Sequence, residues 1–240
     1  MDDPLPGQKF IEGMCLLVNK PAGWTSFDVV NKIRSGLKHN LGIKKVKVGH
    51  AGTLDPMATG LLLVCTGKHT KKLSEYQGLT KEYTGIITLG ATTPSYDAET
   101  EADYQFSYNH ITREMLEDVR QSFIGDIKQR PPMYSAIKVD GQPLYKKARK
   151  GITVELEPRP VTIYEFELTD VQLPYVHFLV KCSKGTYIRS LAHDFGKALQ
   201  SGAYLSELCR TAIGGHHLKD AWDLYELVER IESLTPVPNL

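Results

Sequence analysis

Residues 49–60, GHAGTLDPMATG, hold three glycines, a proline and an aspartate within a dozen positions. Such a stretch makes a tightly turned, ordered loop, a place where a side chain can be held at a pocket mouth. Asp55 precedes Pro56, so its backbone is biased away from the helical region. A carboxylate preorganised in this way suits a nucleophile that must meet a reacting carbon at fixed geometry. Asp-Pro is also a common turn opener, and the residues alone leave that structural reading open.

Other chemistries fail on spacing. A phosphate-binding P-loop needs GxxxxGK[ST]; here six residues separate Gly60 from Gly67-Lys68, and His69 stands where the hydroxyl belongs. No HExxH or GxSxG occurs. His216-His217 reads as a surface pair, because no Cys or acid of suitable spacing accompanies it. The four cysteines, Cys15, Cys65, Cys182 and Cys209, form no CxxC pair, which argues against a zinc ribbon or a disulfide framework and suits a reducing cytoplasm. No metal site and no cofactor is expected.

The elements that must position Asp55 can be read around it. Thr25-Ser26 precede Phe27, Val30, Ile33 and Leu37 at helical spacing, a capped amphipathic helix. Val46 and Val48 suggest a short strand running into Gly49, and the apolar run 61–65 follows the loop. Residues 83–89 are β-rich, and Leu116, Val119 and Phe123 mark a helix. A hairpin turn is expected at 139–142, with Pro143 in the first turn of a helix running to Gly151. Residues 161–168 and 175–182 alternate as strands; 188–199 is a helix stopped by Gly202, and 222–234 is a last helix. Helices and strands alternate without βαβ regularity, so an α+β fold around a mixed, largely antiparallel central sheet flanked by helices and loops is expected.

With 240 residues, 41% hydrophobic and 24% charged, the chain has the composition of an ordinary globular protein that can bury a core without staples. The acidic, proline-bearing N-terminus does not resemble a targeting signal, and no apolar run is long enough to cross a bilayer. A cytoplasmic, membrane-free protein is expected. Net charge is only +1, but six basic residues (Lys32, Arg34, Lys38, Lys44, Lys45, Lys47) fall in 29–54 without an acid. Seven more (Lys128, Arg130, Lys138, Lys146, Lys147, Arg149, Lys150) fall in 128–151 against Asp140 alone. Two such stretches fit a footprint for a phosphate backbone, or equally two solvated faces.

The loop sequence GHAGTLDPMATGLL resembles the catalytic signature of the TruB family of tRNA pseudouridine synthases. Residues 17–26, LVNKPAGWTS, resemble its (D/N)KPxGxTS motif, and Lys81-Glu82-Tyr83 its K-x-Y motif. Residues 131–136 with 141–149 resemble its middle block, and 182–191, CSKGTYIRSL, its K-G-T-Y-I-R motif. These blocks stand in the family's order over 14–218, leaving 1–13 as an N-terminal extension and 14–240 as a catalytic domain of pseudouridine synthase fold.

The resemblance implies an enzyme that flips uridine 55 of the tRNA T loop into a pocket and isomerises it to pseudouridine, with Asp55 as nucleophile. Attack on uracil C6 and on ribose C1′ are both open. By motif match, Tyr83 would stack on the flipped base, Tyr187 would help move the proton off carbon 5, and Arg189 would pair with the catalytic aspartate. Alternation along a strand end would put residues 187 and 189 on one face. His50 would help fill the space left by the flipped nucleotide, Leu208, read as a helix residue, would line the uracil pocket, and Lys20 with the basic run through Lys47 would meet phosphate. Two departures stand out: Asn19 replaces the family's usual Asp, and the residues after Leu218 are too few for the C-terminal PUA-type RNA-binding module of many relatives. The T arm of tRNA is the expected partner of a monomer that needs no protein subunit. An RNA-binding or tRNA-folding protein of the same fold, or a synthase acting on a different RNA, are the alternatives.

Overall fold

The computed structural model describes residues 7–40, 42, 45–139 and 141–234; Lys44 and Asp140 lie outside the described residues. The chain divides into two compact units, Met1–Lys81 with Cys209–Leu240, and Glu82–Leu208.

The first unit opens with helix α1 (Gly7–Glu12), so part of the expected extension is built into the fold: Phe10 is fully buried in the core. Strand β1 (Cys15–Lys20) leads to α2 (Ser26–Asn40). Thr25, not Ser26, caps α2, in a reciprocal box: its backbone N–H donates to Asp28 Oδ2 at 2.9 Å, and the Asp28 N–H donates to Thr25 Oγ1 at 3.1 Å. Val29, Val30, Ile33 and Leu37 face the core, whereas Phe27, expected on that face, is 61% exposed. After β2 (Val48–His50) and the aspartate loop comes β3 (Thr59–Thr66), a 3-10 helix (Gly67–Lys72) and α3 (Leu73–Gly78).

β3 is buried on both faces, which is why its sequence reads as a continuous apolar run rather than an alternation. Leu62 and Val64 enter the core built by α1, α2 and the last helix; Leu61 and Leu63 pack on the opposite side with Ala51 and Ile213. Each such fully buried side chain contributes about 1.5–3 kcal/mol. β1 runs antiparallel to β3, from Cys15 opposite Cys65 to Lys20 opposite Gly60.

In the second unit β4 (Lys81–Leu89) is followed by β5 (Ala91–Thr92), β6 (Tyr104–Gln105), α4 (Arg113–Ser122) and β7 (Gly125–Gln129). The expected hairpin forms from β8 (Lys138–Val139) and β9 (Gln142–Pro143), and Pro143 caps α5 (Leu144–Ala148) rather than entering its first turn. β10 (Arg159–Gln172), β11 (Tyr175–Cys182) and α6 (Ile188–Ala198) follow. Just past α6, Gln200 takes the left-handed conformation at φ 53 and ends the helical path. The expected stop residue, Gly202, does something else: a Cβ there would sit 2.5 Å from the Phe106 ring.

β12 (Ala203–Ile213) has no counterpart among the expected elements, because its polar and charged residues break a simple alternation; it supplies Leu205 to one unit and Arg210 to the other. The chain closes with β13 (His216–His217), a 3-10 turn (Leu218–Asp220), β14 (Trp222–Asp223) and α7 (Leu224–Glu232). The last helix therefore begins two residues later than expected: Trp222-Asp223 pair with β1, and the Asp223 carboxylate caps the Tyr225 and Glu226 N–H groups.

In the first unit the strand order is β14-β1-β3-β12, with β2 also on β3 and β13 on β12; in the second it is β12-β4-β11-β10-β7. β1/β14 and β3/β12 are parallel, while β1/β3, β2/β3, β10/β11 and β7/β10 are antiparallel. The sheet is mixed and largely antiparallel, as expected.

Candidate active site

The loop that carries Asp55 is fixed on both sides of that residue. The Leu54 N–H donates to Ser26 Oγ at 2.9 Å, and that hydroxyl donates back to Leu54 O at 3.2 Å. On the other side, Pro56 O accepts from the Gly23 N–H at 2.8 Å and from Lys20 Nζ at 3.3 Å. Asp55 O accepts from the Ala58 N–H at 3.1 Å, closing the turn. Gly60 is required where the loop enters β3: it has φ +102, and a Cβ would lie 2.4 Å from Arg210 O. The half-buried carboxylate thus sits on a backbone with little freedom, the geometry a nucleophile needs.

Lys20, expected to meet phosphate, is instead fully buried, and its ammonium donates to the carbonyls of Pro21 at 2.9 Å and Trp24 at 2.6 Å as well as Pro56. Burial pulls its pKa down to about 8, the Asp55 carboxylate pushes it back up, and the Arg210 guanidinium lowers it. Lys20 therefore serves as an internal cation beneath the loop rather than as a surface contact.

Arg210 is the residue of this unit that sequence reasoning misses. It is 1% exposed, and it donates from Nε to Leu61 O at 2.7 Å and from NH2 to Gly52 O at 3.1 Å. An arginine flanked by Leu208 and Ala212 is the available signal, and it becomes readable only once β12 is known to be a strand. His50, at the end of β2, has its pKa lowered by burial and then by Arg210, against a backbone hydrogen bond with Gly52 that raises it; the net shift favours the uncharged ring. An uncharged, half-buried imidazole suits contact with a nucleoside better than ion pairing with phosphate.

In the other unit Tyr187 is the N-cap of α6 and Arg189 lies in its first turn. The expected strand-end alternation is wrong: both residues belong to the start of a helix. Tyr187 is held by its backbone, since its N–H donates to Gln129 Oε1 at 2.8 Å and Gln129 Nε2 donates to its carbonyl at 3.0 Å. Arg189 is 4% exposed, so it is a buried residue of that first turn. Its guanidinium donates to Ser95 O at 3.1 Å and Tyr134 O at 2.8 Å, and Nε lies 3.5 Å from Asp97 Oδ2. Asp97, fully buried, also accepts from Ser95 Oγ at 2.6 Å and the Glu99 N–H at 2.9 Å. Neither Gln129 nor Asp97 carries a signal in the sequence. Tyr83 and Leu208 stand on the neighbouring strands β4 and β12, each 8% exposed; Leu208 is a strand residue, not a helix residue.

The family model for the TruB family pseudouridylate synthase (N terminal domain) matches residues 38–188. The chain belongs to the TruB family. A relative named tRNA pseudouridine synthase B from Flavobacterium johnsoniae is 53% identical over 226 residues, covering 94% of this chain and 99% of that protein. A protein of the same name from Parabacteroides distasonis is 55% identical over 205 residues, covering 85% and 87%. Among solved structures, a chain of a Cbf5-Nop10-Gar1 complex is 29% identical with TM-score 0.68, covering 95% of this chain and 59% of its own length. A chain of an H/ACA RNP bound to a substrate RNA containing 2'-deoxyuridine is 28% identical with TM-score 0.67, covering 93% and 55%. This chain thus spans a little over half of those two. The pseudouridine synthase fold expected of a TruB family member is the one found. Among the described residues no helix is long and apolar enough to cross a membrane.

Proposed function

We propose that this TruB family chain isomerises uridine 55 in the T loop of tRNA to pseudouridine, in the cytoplasm, as a monomer without protein subunits. The observation that carries the reading is the fixed loop around Asp55, in a chain that matches the Flavobacterium synthase over 99% of its length. The target base must leave its stack, which is least costly in a tight loop. Asp55 then attacks the nucleoside, the N1–C1′ bond breaks, the uracil turns, a C5–C1′ bond forms, and the bond to Asp55 breaks to free the carboxylate. The carbon 5 proton leaves and N1 ends protonated, so no redox partner or hydrolytic water is consumed.

In this reading Tyr83 offers the flipped uracil a flat partner, worth about 1–3 kcal/mol per stacked base. Tyr187 helps remove the carbon 5 proton, Arg189 belongs to the same catalytic set, Leu208 lines the base pocket, and His50 contacts the RNA. Phosphate contacts come from surface lysines: Lys45, Lys47, Lys68 and Lys71 line one cavity of about 230 Å³. In the other unit Lys128, Lys138, Lys146 and Lys150 are exposed, while Arg149 is engaged with Glu99 at 3.0 Å.

The test is pseudouridine mapping in total RNA with and without the gene, joined to tritium release in vitro. T-arm hairpins and whole tRNA should react with similar efficiency, and Asp55→Asn should bind tRNA yet release no tritium. Turnover by Asp55→Asn would remove that residue from the mechanism. A pseudouridine missing elsewhere than the T loop would move the substrate to another RNA.

A further inference from the structure

Cys15 and Cys65, far apart in the chain, stand directly opposite each other across β1 and β3. The neighbouring Thr66 N–H donates to Met14 O at 2.9 Å, so that pair takes the ladder bond and Cys15/Cys65 is a non-hydrogen-bonded pair. In such pairs the Cα atoms approach to about 4.5 Å, inside the roughly 4.4–6.8 Å span that a disulfide accepts. Both are free thiols; Cys65 is fully buried and Cys15 half-buried, so a small solute reaches Cys15 first.

The surroundings of Cys15 favour its thiolate. The neighbouring Cys65 thiol and Tyr76 phenol hold the Cys15 pKa below the ordinary thiol value, against the effect of burial. Tyr76 is itself placed by His69, whose Nε2 lies 2.9 Å from the phenol oxygen. The Cys65 thiol is pushed upward, by its bond to Cys15 and then by burial. One sulfur is primed to attack, and the other keeps its proton until it is needed. A metal site is the competing reading, but among the described residues no group of three His, Cys, Asp or Glu side chains could hold an ion.

We propose that Cys15 and Cys65 form a thiol pair oxidised by hydroperoxides, with Cys15 the attacking sulfur and Cys65 the one that closes the disulfide. The Cys15 thiolate attacks the terminal oxygen of ROOH; the S–O bond forms, the O–O bond breaks, and ROH leaves after taking a proton. The Cys65 sulfur then attacks the Cys15 sulfenic acid; the S–S bond forms, the S–O bond breaks, and the hydroxyl leaves as water with the Cys65 proton. Two thiols and one hydroperoxide give one disulfide, one alcohol and one water. The pair lies at the opposite end of the β1–β3 ladder from Lys20 and Gly60, so the bond forms away from the aspartate loop.

The experiment is peptide mapping of the full chain without reductant after treatment with a slight excess of hydrogen peroxide. A Cys15–Cys65 linked peptide is expected, with Cys182 and Cys209 still alkylated, and dithiothreitol should restore all 4 free thiols. Cys65→Ser should stop at a Cys15 sulfenic acid trapped by dimedone, and Cys15→Ser should leave Cys65 reduced at the same dose. Four free thiols after peroxide, a link between other cysteines, or equally fast oxidation of Cys65 without Cys15 would each overturn the proposal. If a serine variant fails to fold, the wild-type map decides by itself.

Discussion

Arg189 and Asp97 form a buried ion pair, Nε to Oδ2 at 3.5 Å, with side-chain exposures of 4% and 1%. Such a pair adds little net stability, yet removing one partner weakens what compensates the other's buried charge, at a cost of up to about 3–5 kcal/mol. Asp97→Asn keeps the shape and removes the charge. It should lower the melting temperature and cut pseudouridine formation at least tenfold while tRNA binding changes little. Thermal melts, single-turnover tritium release and filter binding check this; full activity would make Asp97 a bystander.

Next to Asp97, Tyr96 adopts φ 64 and stacks on His193 with ring centroids 3.9 Å apart. The left-handed conformation costs a non-glycine residue roughly 1–2 kcal/mol, and the stack returns about 0.5–1.5 kcal/mol. Tyr96→Gly loses the stack but also the strain; Tyr96→Ala loses the stack and keeps the strain. The alanine variant should therefore melt below the glycine variant, the reverse of the usual order, and thermal denaturation of the two decides it.

Lys20 gives a pH dependence with a definite sign. Its folded-state pKa of about 8 is below the ordinary 10.5, so between those values the unfolded chain binds more protons than the folded one. Its contribution to stability therefore rises with pH across that window. The melting temperature of wild type relative to Lys20→Met should climb from about pH 8 toward 10.5 and stay flat below that window. A flat difference throughout would mean that the Lys20 ammonium keeps its ordinary affinity for protons in the fold.

The lysine-lined cavity predicts a salt-dependent, sequence-blind contribution to RNA binding. Lys47→Glu with Lys71→Glu should weaken tRNA and unrelated RNA alike. The slope of log affinity against log salt should become shallower by about 0.7–0.9 for each phosphate that the variant no longer neutralises. Titrations at several salt concentrations test this, and an unchanged slope would return these lysines to a solvated face.

Much of the fold, and the turn that carries Asp55, is legible in the sequence because the family motifs sit at chain positions with strong local demands. Asp55 before Pro56, the apolar run of β3 and the hairpin at 139–142 are local patterns, and each appears where expected. Lys20 and Phe27 mislead because local pattern does not report burial. A lysine in a polar motif reads as a surface residue until three carbonyls are found around its ammonium, and an aromatic at helical spacing reads as core until the helix is seen to turn it outward. Arg210, Asp97 and Gln129 are invisible for a further reason: each acts on a segment far away in the chain. No spacing rule joins Gln129 to Tyr187, or Asp97 to Arg189.

The Gln129 clamp also makes the start of α6 sensitive to a change of one side-chain atom. Its amide gives one donor and one acceptor to Tyr187, whose carbonyl and N–H use one each. Deamidation to glutamate would keep the acceptor for the N–H but leave two oxygens facing each other at the carbonyl, in a site that is 2% exposed to water. A single slow hydrolysis, changing one atom of a side chain whose partner is backbone, would thus loosen the start of α6.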